Sequence, residues 1–118
     1  MDKVSPDLKN VSERAADVSA FLKAAAHPVR LMILLLLADG AKTVGWLEQK
    51  LGQRQAQISH HLAKLRLQEV VLCRRVGRQA YYSVALPEMV WLLEHLLEIF
   101  PEVTQETRIS DRTVPVSG

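Results

Sequence analysis

The fold class expected from this chain is a mainly helical domain with one small β-hairpin, in the order ααααββα. Apolar residues recur at helical spacing in four segments before residue 68. A Val- and Tyr-rich stretch, residues 70–84, is then broken at Gly77-Arg78, as a hairpin is. A last apolar segment opens at Pro87 and stops at Pro101, which suits one helix closing the domain.

Each element has its own signal. Ser12 is the expected N-cap of the first helix, beyond which Ala15, Val18, Leu22 and Ala25 share a face. Pro28 ends that helix near Ala26-His27, because the residue before a proline avoids helical geometry. The same proline suits the first turn of a second helix, 28–38, apolar all round and therefore central, which closes at Asp39-Gly40. His27, just before that helix, reads as structural. Thr43 caps a short third helix with Val44, Leu47 and Leu51 inward, ended by Gly52. The fourth helix, 55–67, turns Ile58, Leu62 and Leu65 inward and leaves a face of hydrogen-bonding side chains outward. Residues 1–10 read as a flexible N-terminus, 11–101 as one folded domain and 102–118 as a disordered tail.

Composition excludes several classes. At 118 residues with 48% hydrophobic content, the chain can bury one core and is not a disordered protein. The lone Cys73 rules out an intrachain disulfide framework and suits a reducing cytoplasm, the expected location. The run Leu31–Ala38 is too short to span a bilayer, so no membrane association is expected. No Ser-His-Asp or Cys-His arrangement, phosphate loop or paired-carboxylate motif stands out, so the chain does not read as an enzyme.

Charge is distributed unevenly. Residues 42–78 hold eight bases against two acids, net +6, whereas residues 1–41 are neutral and residues 79–118 carry −4. Clustering of this kind is an electrostatic footprint for a polyanion. The order within the block (short helix, turn, polar-faced helix, basic hairpin) reads as a winged helix-turn-helix. A helix of about three turns fits the major groove of DNA, and its first turn is the part that usually meets base edges. Gln55 and Gln57 stand there, and glutamine can bond both adenine edge atoms at once. Arg54, Ser59, His60, His61 and Lys64 complete the candidate reading face, with Arg74, Arg75 and Arg78 on the hairpin for phosphates or an adjacent minor groove. A plainly solvated charged face is the competing reading.

Three stretches together carry a resemblance. Ala26-His27-Pro28-Val29-Arg30-Leu31, then Gln55 to Arg66 (QAQISHHLAKLR), then Arg74 to Tyr82 (RRVGRQAYY), are similar to the ArsR/SmtB family of bacterial repressors, within it the NolR/BigR/HlyU-like branch. The similarity runs from about residue 15 to residue 100. It implies a homodimer that binds a double-stranded operator of two half-sites and represses transcription until an inducer loosens it. Two positions depart from the family pattern. Arg54 stands where a helix-capping Ser is common, and Glu69 where a Gly commonly ends the recognition helix.

Dimerisation is expected through the first and last helices. Val11, Ala15, Val18 and Leu22 form a narrow apolar stripe, and Met89, Leu93, Leu96, Leu97 and Phe100 belong to a last helix with more apolar surface than one neighbour can cover. The resemblance also implies where sensors would lie, and the matching positions lack suitable groups. Thr43 and Gly45 replace the cysteines of metal-sensing relatives, and Leu86, Glu88, Ile99 and Glu102 offer too few ligands for a closed zinc site. Leu35 and Pro101 stand where thiol-switch relatives pair two cysteines. Neither a metal nor another cofactor is therefore expected, and the inducer is open. His60 and His61 point about 100° apart on a helix and cannot clamp one metal together. His95, with Glu88, Glu94 and Glu98, offers at most a weak zinc site, and a packed histidine is the simpler reading. Cys73 reads first as a packing residue, with an oxidant- or reactive-sulfur-responsive regulator as one alternative function. A winged-helix interaction module that no longer binds DNA is the other.

Overall fold

The computed structural model describes residues 7–100 and 102. Helix α1 spans Leu8–Ala25. It begins ahead of Ser12 because the Asp7 carboxylate accepts the Lys9 N–H at 3.1 Å and caps it. Residues 8–10, expected to be flexible, are therefore its first turn. The apolar period supports that earlier start, since Leu8 and Val11 fall on the stripe continued by Ala15, Val18 and Leu22.

Helix α2 covers Pro28–Leu36, with residues 37–39 in a turn rather than a helical end, and lies at 99° to α1. Two residues make that bend. Ala26 leaves helical geometry at ψ 58°, and the His27 ring caps α2 by accepting the Val29 N–H on Nδ1 at 3.1 Å. Ile33 and Leu34 of α2 are fully buried at the centre of the domain. Among the described residues, no single helix is long and apolar enough to cross a membrane.

Helices α3 (Val44–Leu51) and α4 (Gln55–Leu67) follow, joined through Gly52 in the left-handed region at φ 64°. Leu47 of α3 and Ile58, Leu62 and Leu65 of α4 are all fully buried. Burying each such side chain stabilises the fold by about 1.5–3 kcal/mol, so α4 is anchored along one stripe and free elsewhere.

The expected hairpin gains a third strand. β2 (Val71–Val76) and β3 (Gln79–Val84) pair antiparallel, and β1 (Lys42–Thr43) adds to the other edge of β3. Lys42 faces Tyr82 and Thr43 faces Tyr81 in that register. Two residues carry no strand periodicity of their own, so this element exists only through its long-range pairing. It has a structural consequence. The Thr43 hydroxyl accepts the Trp46 N–H at 3.2 Å, so the start of α3 and the base of the wing are tied through one residue.

Helix α5 covers Pro87–Ile99, and it rests on the domain through Val90 and Leu93. The tail from 103 to 118, expected to be disordered, lies outside the described residues, as do residues 1–6 and Pro101.

Candidate nucleic-acid interface

Three fully buried residues leave most of the α4 circumference to solvent. Opposite the stripe of Ile58, Leu62 and Leu65 stand Ala56, His60 and Ala63, all exposed. Gln55 and Gln57 occupy the leading turn, also exposed. Arg54 is the N-cap residue but makes no side-chain cap bond, which leaves first-turn N–H groups open to an anion. The two alanines were not singled out from the sequence, yet their small side chains are what would let the helix backbone approach a base edge closely.

The remaining polar residues divide between the two flanks. Ser59, Ala63, Arg66 and Leu67 meet Tyr82 of β3 around a cleft of about 390 Å³ between helix and wing. Lys64 lies on the other flank, facing α1 across a separate groove. Lys42 is occupied elsewhere, bridged to Asp39 at 2.9 Å and donating to the Gly40 carbonyl at 3.2 Å. That ion pair holds the Asp39 carboxyl below the ordinary carboxylate range. Lys42 and Lys50 also lie over the Trp46 ring, at 5.0 and 5.3 Å. Among the described residues only Lys42 of the block is paired with a carboxylate, so the remaining positive charge is carried by Lys50, Lys64 and the arginines.

The wing separates arginines that look equivalent in sequence. Successive strand residues point to opposite faces, so Arg74 and Arg75 diverge. Arg75 is on the side of Val71 and Cys73, and Cys73 faces Tyr82 across the ladder. Tyr82 is pushed up from its usual value by burial and by the Cys73 thiol, while the positive charges of Arg66 and Arg75 pull the other way. Arg66, Arg75 and Tyr82 thus form a corner between α4 and the wing, and Arg74 projects from the outer face. Arg78 is at the tip, beside Gly77 at φ 62°, a left-handed conformation that glycine adopts without strain. Arg66, counted in the charge block but not among the candidate site residues, belongs to this corner by position.

His61 differs from its neighbours on α4. It is half-buried, with its ring 4.4 Å from that of His27 and 5.9 Å from that of His60. Arg30 Nη1 lies 3.4 Å from its Nδ1, and Arg30 Nε donates to the Ala24 carbonyl at 2.6 Å. Burial, then the positive charges available to His27, Arg30, His60 and Lys64, hold its imidazole below the ordinary value. His61, one of the candidate DNA-reading residues, thus packs α4 against the α1–α2 bend in surroundings that favour the neutral ring.

The left-handed position after α4 is filled by Glu69 at φ 58°. A glycine would fit there without strain, and the glutamate carries roughly 1–2 kcal/mol of backbone cost. The turn holds because Val70, fully buried, donates its N–H to the Leu65 carbonyl at 2.9 Å.

On α1, Ala15, Val18 and Leu22 are exposed and Val11 is half-buried. On α5, Leu96 and Leu97 are exposed, as are Leu92 and Ile99 beside them and Phe100 just past its end. Leu93 corrects the expected pairing set: at 3% exposure it belongs to the chain's own core, and Met89 packs against that core. His95 packs against Trp91 with ring centroids 4.1 Å apart and the planes tilted by 47°, its Nδ1 2.9 Å from the Trp91 carbonyl. Among the described residues, no group of three or more His, Cys, Asp or Glu could hold a metal ion.

The sequence pattern described as bacterial regulatory protein, arsR family, matches residues 27–71, the stretch from the α2 cap to the first wing residue. The chain is also 41% identical over 93 residues to the biofilm growth-associated repressor of Agrobacterium fabrum, covering 79% of this chain and 80% of that protein. The chain belongs to the ArsR family of bacterial regulatory proteins. This ArsR-family fold superposes on the crystal structure of the transcriptional repressor BigR from Xylella fastidiosa with a TM-score of 0.72 at 34% identity, over 83% of this chain and all of that one. A homodimeric winged helix-turn-helix DNA-binding domain from Mycobacterium bovis matches with a TM-score of 0.68 at 27% identity, over 84% of this chain and 89% of the other. The α4 face and the wing therefore belong to a regulator and not to an enzyme.

Proposed function

We propose that this protein is a homodimeric, sequence-specific DNA-binding repressor acting in the bacterial cytoplasm. The observation that carries the reading is the exposed face of α4. Gln55 and Gln57 lead a helix that is held from behind by three fully buried residues and flanked by a basic corner. Gln55, Gln57 and His60 are the base-reading candidates. Arg54, Ser59 and Arg66 and the wing residues Arg74, Arg75 and Arg78 suit the phosphate backbone, which positions the helix without reading sequence. Lys64 suits the backbone strand nearer α1.

The apolar residues left exposed on α1 and α5 are the proposed surface for a second copy. Support comes from the homodimeric relative and from the extent of uncovered aliphatic surface, which a lone chain in water would not keep. Twofold pairing would set two α4 helices about 34–36 Å apart, so the target is a DNA with two half-sites one turn apart. Fluorescence anisotropy of the full chain with labelled duplexes tests the reading. Tight binding to one sequence, lost on Gln57→Ala, is expected, whereas equal weak binding to every duplex would refute it.

A second reading concerns the signal. Cys73 is half-buried opposite Tyr82, on the same face of the strand as Arg75. Adding oxygen or sulfur to its Sγ would displace Tyr82 and disturb the junction between wing and helix. Treating the protein with peroxide or polysulfide and measuring DNA release tests this. Release that persists in Cys73→Ser would rule Cys73 out as the sensor. If the charge reversals Arg75→Glu and Arg78→Glu both leave regulation intact, the protein is instead an interaction module.

A further inference from the structure

A groove of about 620 Å³ runs between α1 and α4, on the flank of α4 that carries Lys64. Its walls are mainly apolar, formed by Ala20 and Ala24 of α1 and by Leu67 of α4, which is 78% exposed. Among the described residues, three cations line it, Lys23, Arg30 and Lys64, and no carboxylate does. Arg30 is fixed there by the Ala24 carbonyl and by His61, so one of the three charges is already positioned. The volume lies within the roughly 300–1,000 Å³ typical of small-molecule sites, which likewise combine apolar walls with a few placed polar groups.

We propose that this groove binds a small amphipathic organic anion, such as a medium-chain carboxylate, and that its occupancy opposes DNA binding. The carboxylate sits among Lys23, Arg30 and Lys64, and the hydrocarbon body covers the alanines and Leu67. Charge complementarity decides the class: a neutral apolar ligand leaves three cations facing it, and a bare inorganic anion leaves the apolar walls wet. Pairing of two copies does not close the groove. On a helix, the groove's Ala16, Ala20 and Ala24 lie on the side of α1 away from the Val11, Val18 and Leu22 stripe assigned to the partner, and Lys23 lies about 120° from that stripe. The coupling rests on the proposed DNA-binding reading, because Lys64 is shared between the two sites. A ligand that withdraws Lys64 from phosphate lowers DNA affinity, and by linkage DNA lowers affinity for the ligand by the same factor.

Two measurements separate the site from the coupling. In the first, methyl-detected NMR of the full chain is recorded without DNA during titration with decanoate, decanol or acetate. Saturable shifts at the Ala20 and Ala24 methyls are expected with decanoate. They should be at least tenfold weaker with decanol or acetate, and at least tenfold weaker for decanoate with the variant Lys23→Gln. Equal response to decanol, or shifts confined to α5, would overturn the site while leaving DNA binding untouched. In the second, decanoate is added to the preformed DNA complex. At saturation it should raise the Kd for DNA at least fivefold in the native chain and much less in Lys23→Gln, which keeps its basal DNA affinity within about threefold. Binding in the groove without any effect on DNA would overturn the coupling.

Discussion

Helices α4 and α5 are each 13 residues long, and each is held to the core by two or three buried aliphatic residues. What they leave in water is opposite in kind. Away from its buried stripe, α4 shows Gln55, Gln57, His60, Lys64 and Arg66, with Leu67 at its end; α5 shows an aliphatic stripe of Leu92, Leu96 and Ile99, continued by Phe100, beside a polar side of Glu94, His95 and Glu98. Anchoring alone therefore says little about what a helix does. The exposed remainder carries that information, a hydrogen-bonding and cationic face for a polyanion in one case and an aliphatic face for another protein surface in the other. The wing and α1 extend the same division, with arginines on the first and Val18 and Leu22 on the second.

Substitutions that exchange these two chemistries should have the largest effect. The double variant Leu92→Glu, Leu96→Glu places charges in the proposed pairing surface and should give a monomer by sedimentation. DNA affinity should fall at least a hundredfold, because one half-site then binds alone. A dimer that survives would move the pairing surface elsewhere.

Gln57→Ala removes a base contact without touching the core. A bidentate contact is worth about 1–3 kcal/mol of discrimination, so affinity for the preferred duplex should fall roughly five- to 150-fold while non-specific binding stays level. Equal loss on all sequences would make Gln57 a backbone contact.

The arginines of the wing offer a finer comparison, since Arg74 and Arg75 lie on opposite faces of one strand. Each lost phosphate contact reduces the slope of log K against log salt by about 0.9. That full change is expected for Arg75→Ala, at the corner with Arg66, and a smaller one for Arg74→Ala, on the outer wing face. Parallel changes in both would show the ribbon lying edge-on to the duplex.

Glu69→Gly should stabilise the fold by up to about 1 kcal/mol in urea denaturation, by relieving the left-handed glutamate. Acid should act through His61. Its imidazole is held below the ordinary value of 6.5, so the folded state binds fewer protons than the unfolded chain as pH falls. The stability it contributes is present above 6.5 and is lost as pH drops through the lowered folded value. The urea midpoint should consequently fall on the acid side of 6.5 in the native chain, and less so in His61→Gln.

The limits of reading this fold from sequence follow from the range of the interactions that set it. Strong local periods marked α4, α5 and the hairpin closely, since Ile58, Leu62 and Leu65 or the break at Gly77 speak for themselves. The start of α1 was set too late because Ser12 is a good cap in isolation, whereas Leu8 and Val11 already lay on the stripe below Asp7. β1 gave no local signal, because two residues become a strand only when Tyr81 and Tyr82 pair with them. At the site, the residue types were informative and their directions were not. Nothing in the His60-His61 pair says which ring turns toward Arg30, and the expected strand divides Arg74 from Arg75 without saying which of its faces α4 meets. Leu93 was misassigned for a related reason: eight apolar residues on one helix do not say which two the core takes.

Selection of bound duplexes from a random pool, followed by a salt titration on the winning sequence, bears most directly on the proposed repressor. An inverted repeat with half-site centres about one helical turn apart is expected, bound by a dimer with affinity falling steeply as salt rises. Failure to enrich any sequence, or affinity indifferent to salt, would contradict the assignment of α4 and the wing to DNA.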